Sequence, residues 1–316
     1  MTGFKIISAG RAVPSRRITN DDLSKIVDTN DEWIRSRTGI GCRYHCADGE
    51  DTLTLAMGAA RRALENSGLS KDEIGCVVCA TISGRYATPS TACLVQAELE
   101  LPADTPSLDV NSACSGFVSA VTVASGLLEI SGKKYALVIG CEQLSRITDM
   151  SDRSTCILFG DGAGALILEK DESVSLGAYM GSDGSTAIVA DGVNYPSSSI
   201  KMDGKAVFRF ATNIIPKCLN ETLARAGKTL DEVDWVVFHQ ANARIIDHCI
   251  KKLAAPAEKF YQNIDHTGNT SGASVPMAIS EMWDEGLLKE GQSVACVAFG
   301  GGLTWAGIVL SVGSKK

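Results

Sequence analysis

The sequence has little of what marks several large classes of protein. Its 30 Lys and Arg are outnumbered by 37 Asp and Glu, which gives a net charge of −7. This balance argues against nucleic-acid binding as the main function, because that requires a basic surface. No apolar run reaches the roughly 18 residues of a membrane span. The first residues, MTGFKIISAG, lack the basic and apolar segments of a secretion signal. We therefore expect a cytoplasmic protein that does not enter a membrane.

Aromatic residues are also scarce, at 6%, whereas glycine is abundant, with 31 residues. Small residues let backbones approach closely, so we expect tightly stacked sheets and helices. The 316 residues are 45% hydrophobic and 21% charged, a composition typical of a folded globular chain. This length suits two fused halves better than one small domain.

A disulfide framework is not expected, because the 11 cysteines are odd in number and are spread over a long chain. Most lie in apolar runs such as IGCVVCATI and are interpreted as small buried side chains. Cys76 and Cys79 form a C-x-x-C within that run, while Cys42, His45 and Cys46 lack a second pair of zinc ligands. GDGAG lacks the G-x-G-x-x-G dinucleotide pattern. We expect neither a metal nor a redox cofactor.

What the sequence does contain is an alternation of buried strands and small-residue helices. The pattern predicts helices at 88–100 and 114–131, and strands at 74–82, 107–113, 134–142, 159–169, 233–241 and 292–302. Strands that are apolar throughout are typical of a largely parallel sheet covered on both faces. The sequence therefore predicts an α/β fold.

The order of these segments repeats along the chain. VDWVVFHQA resembles IGCVVCATI, and HTGNTSGASVPMAISEMW resembles VNSACSGFVSAVTVASGL. The Ser-Gly pairs that follow Cys114 and Thr270 are 156 residues apart (270 − 114). Matched elements in matched order indicate an internal duplication, so we predict one domain over 1–170 and a second over 171–316. Residues 180–206, rich in Gly, Ser and Asp, are predicted to form loops over a site or an interface.

Cys114 follows a predicted strand and begins a predicted helix. The positive end of the helix dipole favours a thiolate there, and the unpaired N–H groups of the first helical turn can bind an oxyanion. Ser115 and Gly116 allow the sharp turn between strand and helix. From the cysteine alone, one more buried thiol among 11 is an equally good explanation.

His239 and Asn269 are the predicted partners of Cys114. His239 ends a buried strand, where side chains of α/β sheets face the usual crevice, and Asn269 lies in the turn that corresponds to the turn of Cys114. Each also fits an ordinary loop or turn residue, but the duplication brings the three together. A thiolate takes an acyl group from a thioester, and two N–H donors can stabilise the enolate of a decarboxylating malonyl thioester. A papain-like hydrolase also uses Cys, His and Asn, but its local cysteine signature is absent here.

Several motifs resemble those of the β-ketoacyl-acyl-carrier-protein synthase III family, in order, from about Asp31 to Trp305. They are DEWIRSRTGI, DVNSACSGF, FGDGAGA, VVFHQANARII, HTGNTSGASVP and AFGGGLTW. The resemblance implies a thiolase-like fold, with two duplicated α/β halves in a five-layered αβαβα arrangement, usually as a homodimer. It implies the reaction that initiates fatty-acid synthesis, in which an acyl-CoA primer condenses with malonyl-acyl-carrier protein. It also implies that Cys114 is the nucleophile, that His239 and Asn269 promote decarboxylation, and that Cys114 and Gly301 supply the oxyanion-hole N–H groups.

The resemblance further implies a coenzyme A site at Thr29, Trp33, Arg37, Arg153 and Asn242. The tryptophan would stack on adenine, the two arginines would lie near the nucleotide, and the threonine and asparagine would contact the pantetheine arm. Without the resemblance, a packed tryptophan and solvated arginines explain these residues as well.

The second substrate would arrive on acyl carrier protein, which is strongly acidic. Arg244, Lys251 and Lys252 share one face of the predicted helix after His239, and Arg209 is expected to join them. These four residues are the predicted docking site, although an ordinary solvated helix face fits the same spacing.

Two positions depart from the family pattern. Lys205 stands where many members have Asn near the pantetheine arm. Thr88 stands where several members have a Phe that reaches the partner subunit's acyl pocket. A smaller side chain deepens that pocket, so we expect a primer longer or more branched than acetyl. The alternatives left open are a paralogue of secondary metabolism and an acyl-CoA thioester hydrolase. A non-catalytic partner subunit would lack the cysteine.

Overall fold

The computed structural model describes residues 2–190 and 199–314. Its helices are α1 (Asn20–Ser24), α2 (Asp31–Thr38), α3 (Thr52–Ser67), α4 (Thr91–Glu98), α5 (Gly116–Ser131), α6 (Arg153–Cys156), α7 (Gly204–Ala226), α8 (Ala243–Leu253), α9 (Ile264–Thr267) and α10 (Ser274–Asp284). Its strands are β1 (Thr2–Ala12), β2 (Arg16–Thr19), β3 (Cys42–His45), β4 (Ile74–Ala80), β5 (Ser107–Val110), β6 (Tyr135–Glu142), β7 (Gly162–Ser175), β8 (Tyr179–Ser185), β9 (Ile188–Val189), β10 (Lys201–Met202), β11 (Trp235–Phe238), β12 (Ser293–Gly300) and β13 (Gly302–Val312).

The main sheet consists of two halves with the same connections. In the first half the order is β5-β4-β6-β7-β1, with β4 parallel to both of its neighbours and β7 antiparallel to both of its own. In the second half β11 and β12 are parallel, and β13 is antiparallel to β12 and β8. A parallel bridge from Val236 to Phe260 takes the place that β5 has beside β4. The sequence repeat therefore corresponds to a repeat of topology.

Five layers result from this arrangement. Helices α5 and α10 lie in one apolar cluster with strands of both halves of the sheet, as Val118 and Ile279 illustrate. Helices α3 and α4 cover the outer face of the first half, and α7 and α8 cover that of the second. The predicted αβαβα arrangement is thus confirmed.

Helix α3 shows how small residues bring the layers close together. A capping box between Asp51 and Thr54 begins the helix, and Gly68 ends it in the left-handed region at φ 65°. Its buried face is rich in alanine. A Cβ placed on Gly10 of β1 would lie 2.4 Å from the Ala59 carbonyl oxygen, so only glycine permits this contact.

The register of the duplication differs from the prediction. The 3-10 turns Ala113–Ser115 and Ser271–Ala273 each precede a central helix, and their first residues have φ of 45° and 48°. These equivalent residues are 158 positions apart (271 − 113), so the predicted offset of 156 is wrong by two residues. Asn269 corresponds to Asn111 in the first half, because the repeated Ser-Gly pairs are not structurally equivalent.

The segment predicted to form loops, 180–206, is only partly irregular. Strand β8 pairs with β13, and Gly181 fits beneath the Trp305 ring, where a Cβ would lie 2.2 Å from a ring atom. The glycine that suggested a loop therefore serves close packing. Residues 191–198 of the segment lie outside the described residues. The predicted domain boundary at 170/171 falls within β7, and the division into two domains stays a prediction.

Within the described part of the chain one segment, Ala113–Ser131, is long and apolar enough to cross a membrane by length and composition, although the sequence predicts no membrane span. More than half of it, 56%, is buried in the fold. The segment contains α5 and lies between the two halves of the sheet, and a buried core helix meets the same criteria.

Candidate functional site

Cys114 lies in the turn that joins β5 to α5 and is half-buried. The end of β12 comes against it from the other half of the chain. A Cβ on Gly300 would lie 2.6 Å from the Cys114 backbone nitrogen, so a side chain there would push the two turns apart. The glycine run of AFGGGLTW thus lets the second half of the chain reach the thiol.

Burial decides the ionisation of this thiol. It raises the pKa of Cys114 to about 11, the negative charge of Glu142 raises it further, and the nearby Ser271 hydroxyl offsets only part of the effect. Desolvation of the charge therefore acts against the thiolate that the helix dipole is expected to favour. Cys114 rests as a neutral thiol.

His239 follows β11 and is only 2% exposed. Burial lowers its pKa to about 3, so the imidazole is neutral. Its Nδ1 lies 2.7 Å from Ser274 Oγ, which also accepts a hydrogen bond from the Gln240 N–H. The Ser274 hydroxyl is therefore free to donate to Nδ1, and this arrangement places the imidazole proton on Nε2. The edge of the ring packs against Phe299 at 5.5 Å between centroids.

Asn269 is held on both sides by backbone. Its N–H donates to the Leu158 carbonyl at 2.9 Å, and its own carbonyl accepts from the Gly160 N–H at 3.0 Å. The side-chain Oδ1 accepts from the Ser271 N–H at 2.9 Å, while Nδ2 lies 3.5 Å from the Ala241 carbonyl oxygen. The oxygen of the amide is thus occupied, and the amide presents its NH2 group as a donor.

These three side chains line one cavity of about 490 Å³, together with Gly301. Most of its other walls are apolar, including Ile82, Leu144, Leu158, Phe159, Ile188, Ile200, Met202, Val207, Phe208 and Phe299. The structure therefore brings together one thiol, one neutral imidazole and one oriented amide. Charge formed in such a cavity is sheltered from water and depends on these donors.

The predicted coenzyme A residues lie near one another on α2, α6 and the start of α8. Trp33 is half-buried, and the Arg153 guanidinium lies over its indole at 5.0 Å from the ring centroid. Asn242 lines the cavity and donates to the Arg37 carbonyl at 3.1 Å. Thr29 Oγ1 is buried and has no partner among the described residues, which suits a hydroxyl reserved for a ligand. Their role in binding stays a prediction.

The predicted docking residues lie on two adjacent outer helices. Arg209 on α7, and Arg244 and Lys251 on α8, are exposed and form no ion pair within residues 2–190 and 199–314. Lys252 differs, because its Nζ donates to the Thr212 carbonyl and to Asn213, each at 3.1 Å. This lysine ties α8 to α7 and is less available to a partner.

Thr88 is exposed and does not line the cavity of the single chain described here. The position fits a residue that would reach a neighbouring subunit, but its role as an acyl-pocket residue stays a prediction. Lys205, the other departure from the family pattern, is also exposed.

Sequence reasoning missed the polar residues that surround the three central side chains. Glu142 ends β6, is fully buried, and accepts hydrogen bonds from Thr81, Ser83 and the Ile82 N–H. Burial raises its pKa to about 7. The one available signal was an acidic residue at the end of the apolar run YALVIGCE. Ser274, which orients His239, offered no signal beyond its position in a small-residue helix.

The cysteines are the residues for which the sequence raised the question of a disulfide or a metal site. All 11 are free thiols, and only Cys93 is exposed. Within the described part of the chain, no group of three or more His, Cys, Asp or Glu side chains is arranged to hold a metal ion.

The five-layered fold and the cavity lined by Cys, His and Asn define a class, the thiolase-fold enzymes. Comparison with known families narrows it. Residues 108–184 match the family model described as 3-oxoacyl-[acyl-carrier-protein] synthase III, and residues 223–312 match the model for its C-terminal part. The chain belongs to the 3-oxoacyl-[acyl-carrier-protein] synthase III family.

Individual relatives agree with this assignment over nearly the whole length. The β-ketoacyl-[acyl-carrier-protein] synthase III of Clostridium acetobutylicum is 43% identical, with 98% of this chain and 99% of the relative covered. That of Thiobacillus denitrificans is also 43% identical, with the same coverage. The crystal structure of the Aquifex aeolicus enzyme superposes with a TM-score of 0.91 at 41% identity, covering 97% of this chain and 99% of that one.

Proposed function

We propose that this enzyme condenses an acyl-CoA primer with malonyl-acyl-carrier protein. The products are 3-oxoacyl-acyl-carrier protein, CO2 and coenzyme A, and the reaction initiates fatty-acid synthesis. The observation that carries the proposal is the meeting of Cys114, His239 and Asn269 in one apolar cavity, in a chain of this family. The reaction needs no metal or redox cofactor, and the enzyme acts in the cytoplasm.

The first step transfers the acyl group to Cys114. The sulfur attacks the thioester carbonyl, and the N–H groups of Cys114 and Gly301 bind the oxyanion that forms. The thiol starts neutral, with a pKa of about 11. Cys114 loses its proton when it attacks, and the departing coenzyme A thiolate takes up a proton. The exchange of one thioester for another therefore needs no net change of charge.

The second step makes the carbon–carbon bond. The malonyl thioester loses CO2, and negative charge builds on its thioester oxygen. The Nε2–H of His239 and the Nδ2–H of Asn269 stabilise this enolate. A neutral imidazole suits the role, because it already carries one proton to donate and burial keeps it from taking a second. The enolate carbon attacks the acyl group on Cys114, and the cysteine sulfur leaves as a thiolate, which takes up a proton from solvent and so returns to the neutral thiol.

The predicted binding residues hold the two substrates at the entrance to the cavity. Trp33, Arg37 and Arg153 hold the nucleotide of coenzyme A, while Thr29 and Asn242 contact the pantetheine arm. The basic residues of α7 and α8 receive acyl carrier protein, since an acidic partner is attracted by local charge rather than by the net charge of the enzyme.

A homodimer is part of the proposal. Strand β5 pairs only with β4 among the described strands, and all four of its residues are half-buried in the single chain. An unpaired sheet edge readily accepts a strand from a second copy, and twofold symmetry would satisfy both edges at once. Such a dimer would also bring Thr88 of one subunit towards the other, in keeping with its predicted role.

Identification of the products tests the proposal. Enzyme is incubated with malonyl-acyl-carrier protein and either acetyl-CoA or longer and branched acyl-CoA, and products are identified by mass. Condensed product that disappears in Cys114→Ala supports the proposal. Free acid alone would identify a thioester hydrolase instead, and strict preference for acetyl-CoA would reject the deeper primer pocket predicted from Thr88.

A further inference from the structure

The two donors of the proposed oxyanion hole come from distant parts of the chain. Cys114 belongs to the turn before α5, and Gly301 lies between β12 and β13 in the other half. Gly301 has no side chain to fix its conformation, and the nearest atoms to a Cβ placed on it are 3.5 Å away. The separation of the two N–H groups must therefore be set by other contacts.

Two hydroxyl groups make those contacts. The fully buried Ser115 Oγ lies 2.9 Å from Thr304 Oγ1 and 2.8 Å from the Ser112 carbonyl oxygen. Thr304 Oγ1 lies 3.1 Å from the Gly301 carbonyl oxygen and 3.3 Å from the Ser112 carbonyl oxygen. One threonine hydroxyl thus contacts both the glycine loop and the nucleophile turn, and a serine hydroxyl in the nucleophile turn holds it from the other side.

We propose that Ser115 and Thr304 are positioning residues that hold the Gly301 N–H and the Cys114 N–H at the spacing an oxyanion requires. The inference rests on the proposed function, because it concerns the oxyanion hole of the acyl-transfer step. A hydrogen bond to the Gly301 carbonyl restrains rotation about a residue that no side chain restrains. The Ser115–Thr304 contact then ties that restraint to the turn that carries the nucleophile.

The expected effect is on the rate of acyl transfer rather than on substrate binding. Removing an oxyanion donor outright typically slows a reaction about 100-fold to 1,000-fold. Loosening a donor should cost less, so we expect Thr304→Val to slow acylation of Cys114 roughly 10-fold to 100-fold. The acyl-CoA concentration at half-maximal rate should not change, because neither hydroxyl lies in the predicted coenzyme A site. Ser115→Ala should change the rate in the same direction.

The experiment measures the single-turnover rate of Cys114 acylation at several acyl-CoA concentrations, by quenched flow and intact mass. Thr304→Ser keeps the hydroxyl and should restore a rate close to that of the wild type. The control is Thr222→Val, the same change at a buried threonine that packs on Gly307 of β13, away from the nucleophile turn. It should acylate at the wild-type rate.

Thr304→Val acylation at the wild-type rate would overturn the inference. So would a Thr304→Ser variant as slow as Thr304→Val, since the loss would then come from packing rather than from the hydroxyl. The proposed function fails separately. If the wild type forms the acyl-enzyme but no condensed product, that function is wrong, while slow acylation in Thr304→Val would still uphold the positioning role.

Discussion

Single residues in the cavity are tuned chiefly by burial. It keeps the thiol of Cys114 and the imidazole of His239 uncharged by shifting their pKa values in opposite directions, to about 11 and about 3. Both shifts follow from the cost of placing a charge where water cannot reach it. The thiol and the imidazole are therefore neutral at rest, and charge develops on them only during the reaction.

The rate of Cys114 alkylation should follow from its raised pKa. Because the thiolate is the reactive form, the rate with iodoacetamide should rise about tenfold for each pH unit between 6 and 9, without a plateau. Mapping of the Cys114 peptide by mass separates this reaction from that of the exposed Cys93. Ser271→Ala should slow alkylation at a fixed pH, because the Ser271 hydroxyl lowers the pKa. A plateau below pH 8 would instead indicate the thiolate that the helix dipole alone predicts.

The stability of the fold should depend on pH through Glu142. Its folded pKa of about 7 lies above the ordinary value of 4.5. The folded state therefore keeps a proton that the unfolded chain loses, and the free energy of unfolding falls as pH rises from 4.5 to 7. The loss for this group is roughly 3 kcal/mol. Glu142→Gln cannot lose the proton, so urea unfolding should show its stability, relative to wild type, increasing over this range. A constant difference would contradict the raised pKa.

At the residue scale, the sequence predicts the functional residues that lie in recognisable motifs. It does not predict the residues whose role depends on tertiary contacts. Cys114 and His239 are recognisable because each follows a strand, and Asn269 because it lies in the turn before the matching small-residue helix. Ser274 and Thr304 become visible only when helix α10 and strand β13 are folded against the turns they support. No local pattern encodes a contact between residues that are separated by so much of the chain.

At the scale of elements, helices α7 and α8 form the outer layer that would receive the carrier protein. Replacing Arg209, Arg244 or Lys251 with Glu should raise KM for malonyl-acyl-carrier protein about tenfold and leave KM for acyl-CoA unchanged. The matched control is Arg61→Glu, an exposed arginine on α3 in the opposite outer layer, which should change neither value. Equal effects on both substrates would mean that these residues do not form a docking surface.

Elements could be predicted where buried strands and helices alternate, and not where packing overrides composition. Composition predicts a loop at strand β8, because its glycines and serines resemble loop residues. It forms a strand because β13 pairs with it and the Trp305 ring requires a glycine beneath it. The offset predicted for the turn before α10 differs by two residues from the structural offset, because the positive φ that defines the equivalence leaves no trace in composition.

At the scale of the whole molecule, the free edge of β5 predicts a dimer. In this parallel pair, the carbonyls of Pro106 and Val110 face β4, so the Ser107 N–H faces the open edge. Light scattering should give the wild type about twice the 33.3 kDa of one chain. Ser107→Pro removes the outward N–H and should yield a monomer, whereas Ser107→Ala should remain dimeric. A dimer in all three would place the interface elsewhere.

The layered arrangement of the fold was predictable because the duplication is visible in the sequence. Two matched sets of strands, each followed by a small-residue helix, leave few other ways to bury both helices than to place them between the sheets. The predicted layers followed from that constraint. The way in which the two halves of the sheet are joined could not be predicted from the duplication. Strands β1 and β13 pair at only two positions, Lys5–Ser311 and Ile6–Val312.

The most direct test of the account compares four proteins after incubation with acyl-CoA alone and then with malonyl-acyl-carrier protein. Intact mass should show the acyl group on the wild type, His239→Ala and Asn269→Ala, but not on Cys114→Ala. Only the wild type should then form condensed product, because the enolate donors are needed in the second step alone. Acylation of Cys114→Ala, or its loss in both the His239 and Asn269 variants, would contradict the roles assigned to these residues.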